Sequence, residues 1–164
     1  MRRLTASVEH RRMRWGRCDE PTFPARTRNL IPMKSEKYQQ GMVMRRNVLG
    51  DEYVDRAIDA ATDFNRPLQD MVTENCWGEV WTRPALSPQT RSLITIATLA
   101  ALKASTELKV HVRGALRNGC SEAEIQEVLL QSTVYCGVPS GIEAFRAAKD
   151  AIEAWQAEHP DQAG

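Results

Sequence analysis

Residues 77–111 read WGEVWTRPALSPQTRSLITIATLAALKASTELKVH, and this stretch decides the fold. Ser87-Pro88 is a helix start: the hydroxyl accepts a first-turn amide, and proline fits where no N–H is needed. From Leu93 to Leu102 apolar residues fall on nearly every face, which places this helix at the centre of the fold or at a subunit interface. Thr106 opens the next helix, and Asn118-Gly119 ends it. The flanking sequence continues in kind. Ser35 caps a helix running to Leu49, with Gly50 just past its end. A short helix follows over 51–60. Asn65, with Pro67 in the first turn, starts a third that runs to about Trp77. Ser121 with Glu124 forms a capping box before Ile125, Val128, Leu129 and Ser132 at helical spacing. Gly137-Val138-Pro139 breaks the chain, and a last helix is predicted from about Ser140 to Trp155. No segment alternates as a strand does. The expected fold is all-α: one compact domain of six to seven helices over residues 34–158, with 159–164 a disordered tail.

Residues 1–33 differ from the rest. Residues 1–32 carry eight arginines against three acidic residues, about +5, while the remainder sums to about −4. With Pro21, Pro24 and Pro32 and no apolar period, they read as a flexible Arg-rich N-terminal extension. A clean helical pattern begins directly after Met33, so the extension also fits translation from an upstream start codon. The overall charge of +1 gives no general pull toward nucleic acid or membrane. No apolar run approaches the roughly 20 residues of a membrane span, and no secretory signal is evident. Cys18, Cys76, Cys120 and Cys136 are widely spaced, which suits reduced thiols in a cytoplasm. Nothing in their spacing, with His111, suggests zinc, and no metal is expected.

Glu107 and His111 stand four residues apart on one helical face. A carboxylate beside an imidazole raises its pKa, so the pair suits proton donation near neutral pH; a solvated surface pair has the same spacing. Glu79 lies between Trp77 and Trp81. An apolar wall there would raise its pKa and make it an acid or base, unless both tryptophans are core and Glu79 points to water. Arg83 and Arg91 bracket the turn at 84–88 and offer forks for a carboxylate, or ordinary helix-end ion pairs. Tyr135 is a weaker binding candidate.

The motifs just quoted resemble the carboxymuconolactone decarboxylase family. The likeness runs from about Tyr38 to Ala151. It includes 41–51 (GMVMRRNVLGD), Thr62-Asp63-Phe64, 77–84, Arg91-Ser92-Leu93, 107–111, Asn118-Gly119 and 135–139 (YCGVP). The resemblance implies a small helical protein of the alkylhydroperoxidase-D-like superfamily, assembling as a ring, as a trimer or hexamer. It implies cofactor-independent decarboxylation of 4-carboxymuconolactone to 3-oxoadipate enol-lactone in protocatechuate degradation, the 3-oxoadipate pathway. His111, with Glu79 or Glu107, is then the acid–base group. Arg83, Arg91, Trp77, Trp81 and Tyr135 bind the small dicarboxylate lactone. The peroxidase branch of that superfamily uses a CxxC, a histidine four residues later and an upstream glutamate. With His111 in the histidine place, the cysteine places hold Ala104 and Glu107 and the glutamate place holds Ser92, so thiol chemistry is not expected. The remaining alternatives are an acid–base enzyme for another acidic lactone and a non-catalytic helical binding oligomer.

Overall fold

In the computed structural model, residues 34–162 form α1 (Glu36–Leu49), α2 (Asp51–Asp59), α3 (Arg66–Met71), a π-helical continuation of α3 (Val72–Trp81), α4 (Pro88–Leu102), α5 (Ser105–Arg117), α6 (Glu122–Cys136) and α7 (Val138–Glu158). The described residues are all helical, with no strand. The N-terminal extension and residues 163–164 lie outside the described residues. No described helix is long and apolar enough to cross a membrane.

The helix ends follow the local chemistry. Ser35 and Ser87 accept from the amides of Tyr38 and Thr90. Ser121 and Glu124 form both halves of the capping box. Gly50 and Gly137 end α1 and α6 at φ of 87° and 93°, a region that side-chain-bearing residues rarely occupy. Two predicted boundaries move. The third helix runs past Trp77 to Trp81 because it changes from α to π geometry at Val72. The last helix starts at Val138, since Pro139 sits in its first turn, where its missing N–H costs nothing. Part of the expected disordered tail is ordered: His159 stacks on Trp155 with ring centroids 3.8 Å apart, and Pro160–Gln162 form a 3₁₀ turn.

Two apolar clusters hold the fold. The larger joins α4, α5, α6 and α7 around Ile96, Leu108, Val112, Ile125, Leu129 and the small residues Ala144, Ala147, Ala148 and Ala151. The smaller joins α1, α2 and the π segment through Val48, Leu49, Val54 and Trp77. Helix α5 serves both: Leu108, Val112 and Ala115 face the first, and Val110 packs on the second. The helix expected to be apolar on every face, α4, buries Ile96 and Ala100, while Ile94 and Leu102 remain exposed.

Helix α1 crosses the π segment with their backbones in contact. A Cβ on Gly41 would lie 2.1 Å from the Thr73 carbonyl oxygen, and one on Gly78 would lie 2.2 Å from that of Lys37. Only glycine fits at either place. One turn beyond Gly41, this close approach seals the side chain of Arg45 between the two helices.

Candidate active site

His111 sits on α5 where that helix meets the smaller cluster. Its ring lies almost parallel to that of Trp77, 7° apart, with centroids 6.2 Å away, and 6.5 Å from that of Trp81. The two indoles are themselves 4.8 Å apart. These rings, with Arg45, Tyr53, Cys76 and Thr95, line a cavity of about 280 Å³. That is near the lower end of ligand pockets, roughly 300–1,000 Å³, and suits a small acid.

The imidazole Nδ1 is sealed from solvent and has no hydrogen-bond partner. Nε2 makes no hydrogen bond to a described residue, and it is the nitrogen left for a bound molecule. Burial pushes the His111 pKa down to about 4, and Glu107 one turn away opposes this only weakly. The spacing of Glu107 and His111 by itself predicts either a raised imidazole pKa or a solvated surface pair, and neither holds. Desolvation wins because Glu107 is exposed and gives the ring no hydrogen bond, whereas two indoles exclude water from it.

Arg45 completes the cavity and was not among the sequence candidates. It is 5% exposed and is the single charged side chain buried among the described residues. Nη1 donates to Thr73 Oγ1 at 3.1 Å and Nη2 to Gln69 Oε1 at 2.9 Å, while Nε has no partner. Among the described residues no carboxylate pairs with it, and burial lowers its pKa. The signal available in the sequence was its place four residues after Gly41, on the face that the glycine presses against the π segment.

Of the other candidates, Trp77 and Trp81 line the cavity. Glu79 does not. It is exposed and ion-paired with Lys37, whose ammonium holds the carboxyl below its ordinary range. Two residues beyond Trp77 the helix has gone roughly half a turn, so a residue midway between two tryptophans in contact faces away from their wall. Arg83 is exposed, and its carbonyl accepts from Arg91 Nη2 at 2.9 Å. Arg91 is half-buried with Nε unpartnered, yet neither arginine is in the cavity wall. Tyr135 is 81% exposed and lines a separate, wider apolar groove between α4 and α6, with Leu93, Ile94 and Val134. That groove, of about 940 Å³, is larger, but it holds neither the imidazole nor the buried guanidinium. Among the described residues no group of three or more His, Cys, Asp or Glu side chains is placed to hold a metal ion.

The sequence matches the model of the carboxymuconolactone decarboxylase family over residues 66–150. It is 38% identical over 118 residues to the 4-carboxymuconolactone decarboxylase of Acinetobacter baylyi, covering 72% of this chain and 88% of that protein. The chain belongs to the carboxymuconolactone decarboxylase family. A further relative is the nitrosuccinic acid decarboxylase of Metarhizium robertsii, 46% identical over 115 residues, which span 70% of this chain and 80% of that one. By name both relatives are decarboxylases, and they differ in substrate. The family model's match begins after α1, so it includes His111, Trp77 and Trp81 and omits Arg45.

Proposed function

We propose that this carboxy-lyase decarboxylates 4-carboxymuconolactone to 3-oxoadipate enol-lactone without a cofactor, as a step of protocatechuate degradation. The observation that supports this most is one small cavity shared by the His111 imidazole and the Arg45 guanidinium, behind a wall of two indoles. The chemistry asks little else of a protein. When the C–COO⁻ bond breaks, CO₂ leaves and the electron pair passes through the ring double bond to the lactone carbonyl, as a dienolate. A proton then adds to the carbon alpha to that carbonyl. The substrate is its own electron sink, so the protein needs only to hold a dianion, solvate the departing carboxylate poorly and deliver a proton.

Trp77 and Trp81 supply the poorly solvating wall. His111 delivers the proton from Nε2. Burial alone keeps the imidazole neutral at neutral pH, with its pKa at about 4. A dianion brought against it favours the imidazolium, so proton uptake accompanies substrate binding. Glu107 pulls in the same direction from one turn away. Glu79, Arg83, Arg91 and Tyr135 take no contact with substrate in this reading, because they stand outside the cavity wall.

A second substrate is favoured by the 46% identity to the nitrosuccinic acid decarboxylase. There the nitro group accepts the electron pair. The two acids share a skeleton: the carbon that loses CO₂ bears a CH₂–COO⁻ arm and is conjugated or bonded to an electron-withdrawing group. Incubation of purified protein with each acid, followed by CO₂ release, tests both. His111→Ala is expected to slow turnover about 10²- to 10⁴-fold, the usual worth of positioned proton transfer, with helical content retained. Near wild-type turnover in that variant removes the imidazole from the mechanism. Release of CO₂ from neither acid leaves another acidic lactone as substrate or a non-catalytic binding role.

We also propose that the chain forms a homo-oligomer, a trimer or hexamer, through the apolar face of α4 and α6. Ile94, Leu130, Val134 and Tyr135 are all exposed there. Val134→Glu is expected to lower the mass measured by light scattering to that of the monomer; an unchanged mass places the contact elsewhere.

A further inference from the structure

Arg45 is costly where it stands. A guanidinium removed from water and given only neutral partners has lost hydration that no carboxylate replaces. Thr73 and Gln69 take two of its five N–H donors, one from each terminal nitrogen. Three donors remain, including the unpartnered Nε. That arrangement fixes the plane of the group and leaves it unneutralised in the wall of a cavity, which is how a receptor for an anion is built.

We propose that Arg45 is the receptor for the carboxylate that the substrate keeps, the CH₂–COO⁻ arm, and thereby selects succinate-type dianions over monoacids. This rests on the reading of the cavity as the decarboxylation site. The choice between the two carboxylates follows from the reaction. A carboxylate on a guanidinium is stabilised as an anion, and the one that departs must shed its charge to become neutral CO₂. Holding it there would stabilise the ground state and oppose the reaction. The retained carboxylate keeps its charge throughout, so its pairing costs the chemical step nothing and fixes the reacting carbon one methylene away. The departing group is then left to the indole wall. The charges also close: a dianion against Arg45 leaves one negative charge, which an imidazolium at His111 balances. The arginines favoured from the sequence, Arg83 and Arg91, lack this setting, since Arg91 is engaged with the Arg83 carbonyl and neither reaches the cavity wall.

The test separates binding from turnover. Succinate has both carboxylates and no electron sink, so it is a non-reacting probe; butyrate has the same length and one carboxylate. Succinate is expected to raise the melting temperature of the wild-type protein, butyrate much less, and Arg45→Met is expected to abolish the succinate shift. With 4-carboxymuconolactone, Arg45→Met is expected to raise KM by about 10²-fold or more with a much smaller change in kcat, as loss of one partner of a buried ion pair implies. Arg45→Lys, which keeps the charge without the fork, is expected to fall between, and it carries the test if the methionine variant does not fold. A succinate shift retained in the variants, or an unchanged KM, overturns the assignment. A succinate shift that depends on Arg45 in a protein that turns over neither acid upholds the receptor and sinks the reaction assigned to it. Turnover with a KM indifferent to Arg45 does the reverse.

Discussion

Lowering the pH should destabilise this protein through a single imidazole. An unfolded chain protonates histidine near 6.5, whereas in the folded protein His111 takes its proton only near 4. Between those values the unfolded state binds a proton that the folded state refuses. The contribution of His111 is therefore complete above pH 6.5, erodes as the pH falls and levels off below about 4. At 1.36 kcal/mol per tenfold, the difference amounts to roughly 3 kcal/mol lost across that window. Burial of the ring behind two indoles sets the sign. Arg45 is the other charged group in the cavity wall, and Glu107 favours protonation from the exposed side of α5 without overcoming the burial. Carboxylates titrate in the same range, so the measurement is a difference. Urea unfolding of wild type and His111→Gln would be compared at pH 7.5, 6.0, 5.0 and 4.5. The wild type should lose roughly 2.5 kcal/mol more than the variant over this range, which stops short of the folded-state pKa. Its His111 ring resonance should stay that of the neutral form down to about pH 5. Parallel stability curves, or a ring titrating near 6.5, would refute the desolvation argument and return the imidazole to an open position.

Three further outcomes are expected. Gly78→Ala should cost about 3 kcal/mol or more in denaturant unfolding, because its Cβ meets the Lys37 backbone oxygen at 2.2 Å and neither chain has a flexible end to yield. Ser121→Ala should cost about 1 kcal/mol by removing the hydroxyl that accepts the Glu124 amide, with KM unchanged, since the capping box is remote from the cavity. Glu79→Gln should leave turnover within about twofold of wild type at neutral pH, its carboxylate being exposed and engaged with Lys37; a hundredfold loss in a rate assay would restore it as an acid–base group.

Most of the fold was legible because its signals are local. Ser35, Ser87, Ser121, Gly50 and Gly137 mark helix ends through one or two hydrogen bonds or a single backbone angle. The π turn was not, since a shift from i−4 to i−5 bonding at Val72 depends on what α1 presses against it. His111 and the two tryptophans, singled out by type and spacing, line one cavity. Arg45 was hidden by its neighbour. Arg45-Arg46 reads as a pair of surface cations, and Arg46 is one, bridging Asp51 and Asp55. Burial of the first follows from Gly41 and Gly78 meeting across 37 residues of chain, a tertiary fact. Glu79 failed for a simpler reason: helical phase alone turns it away from the wall that flanks it in sequence.

The crossing at Gly41 and Gly78 carries a consequence for motion. The cavity seals its cation at depth, but the exposed Tyr53 and Cys76 stand in its rim, so a ligand can enter past them. Its main walls, α1 and the π segment, meet backbone to backbone at Gly41 and Gly78, so they should part no more readily than the four-helix cluster beside them. Amide exchange should then be as slow where α1 crosses the π segment as along α7. Preformation is the consequence: guanidinium and imidazole keep their places while only the rim moves.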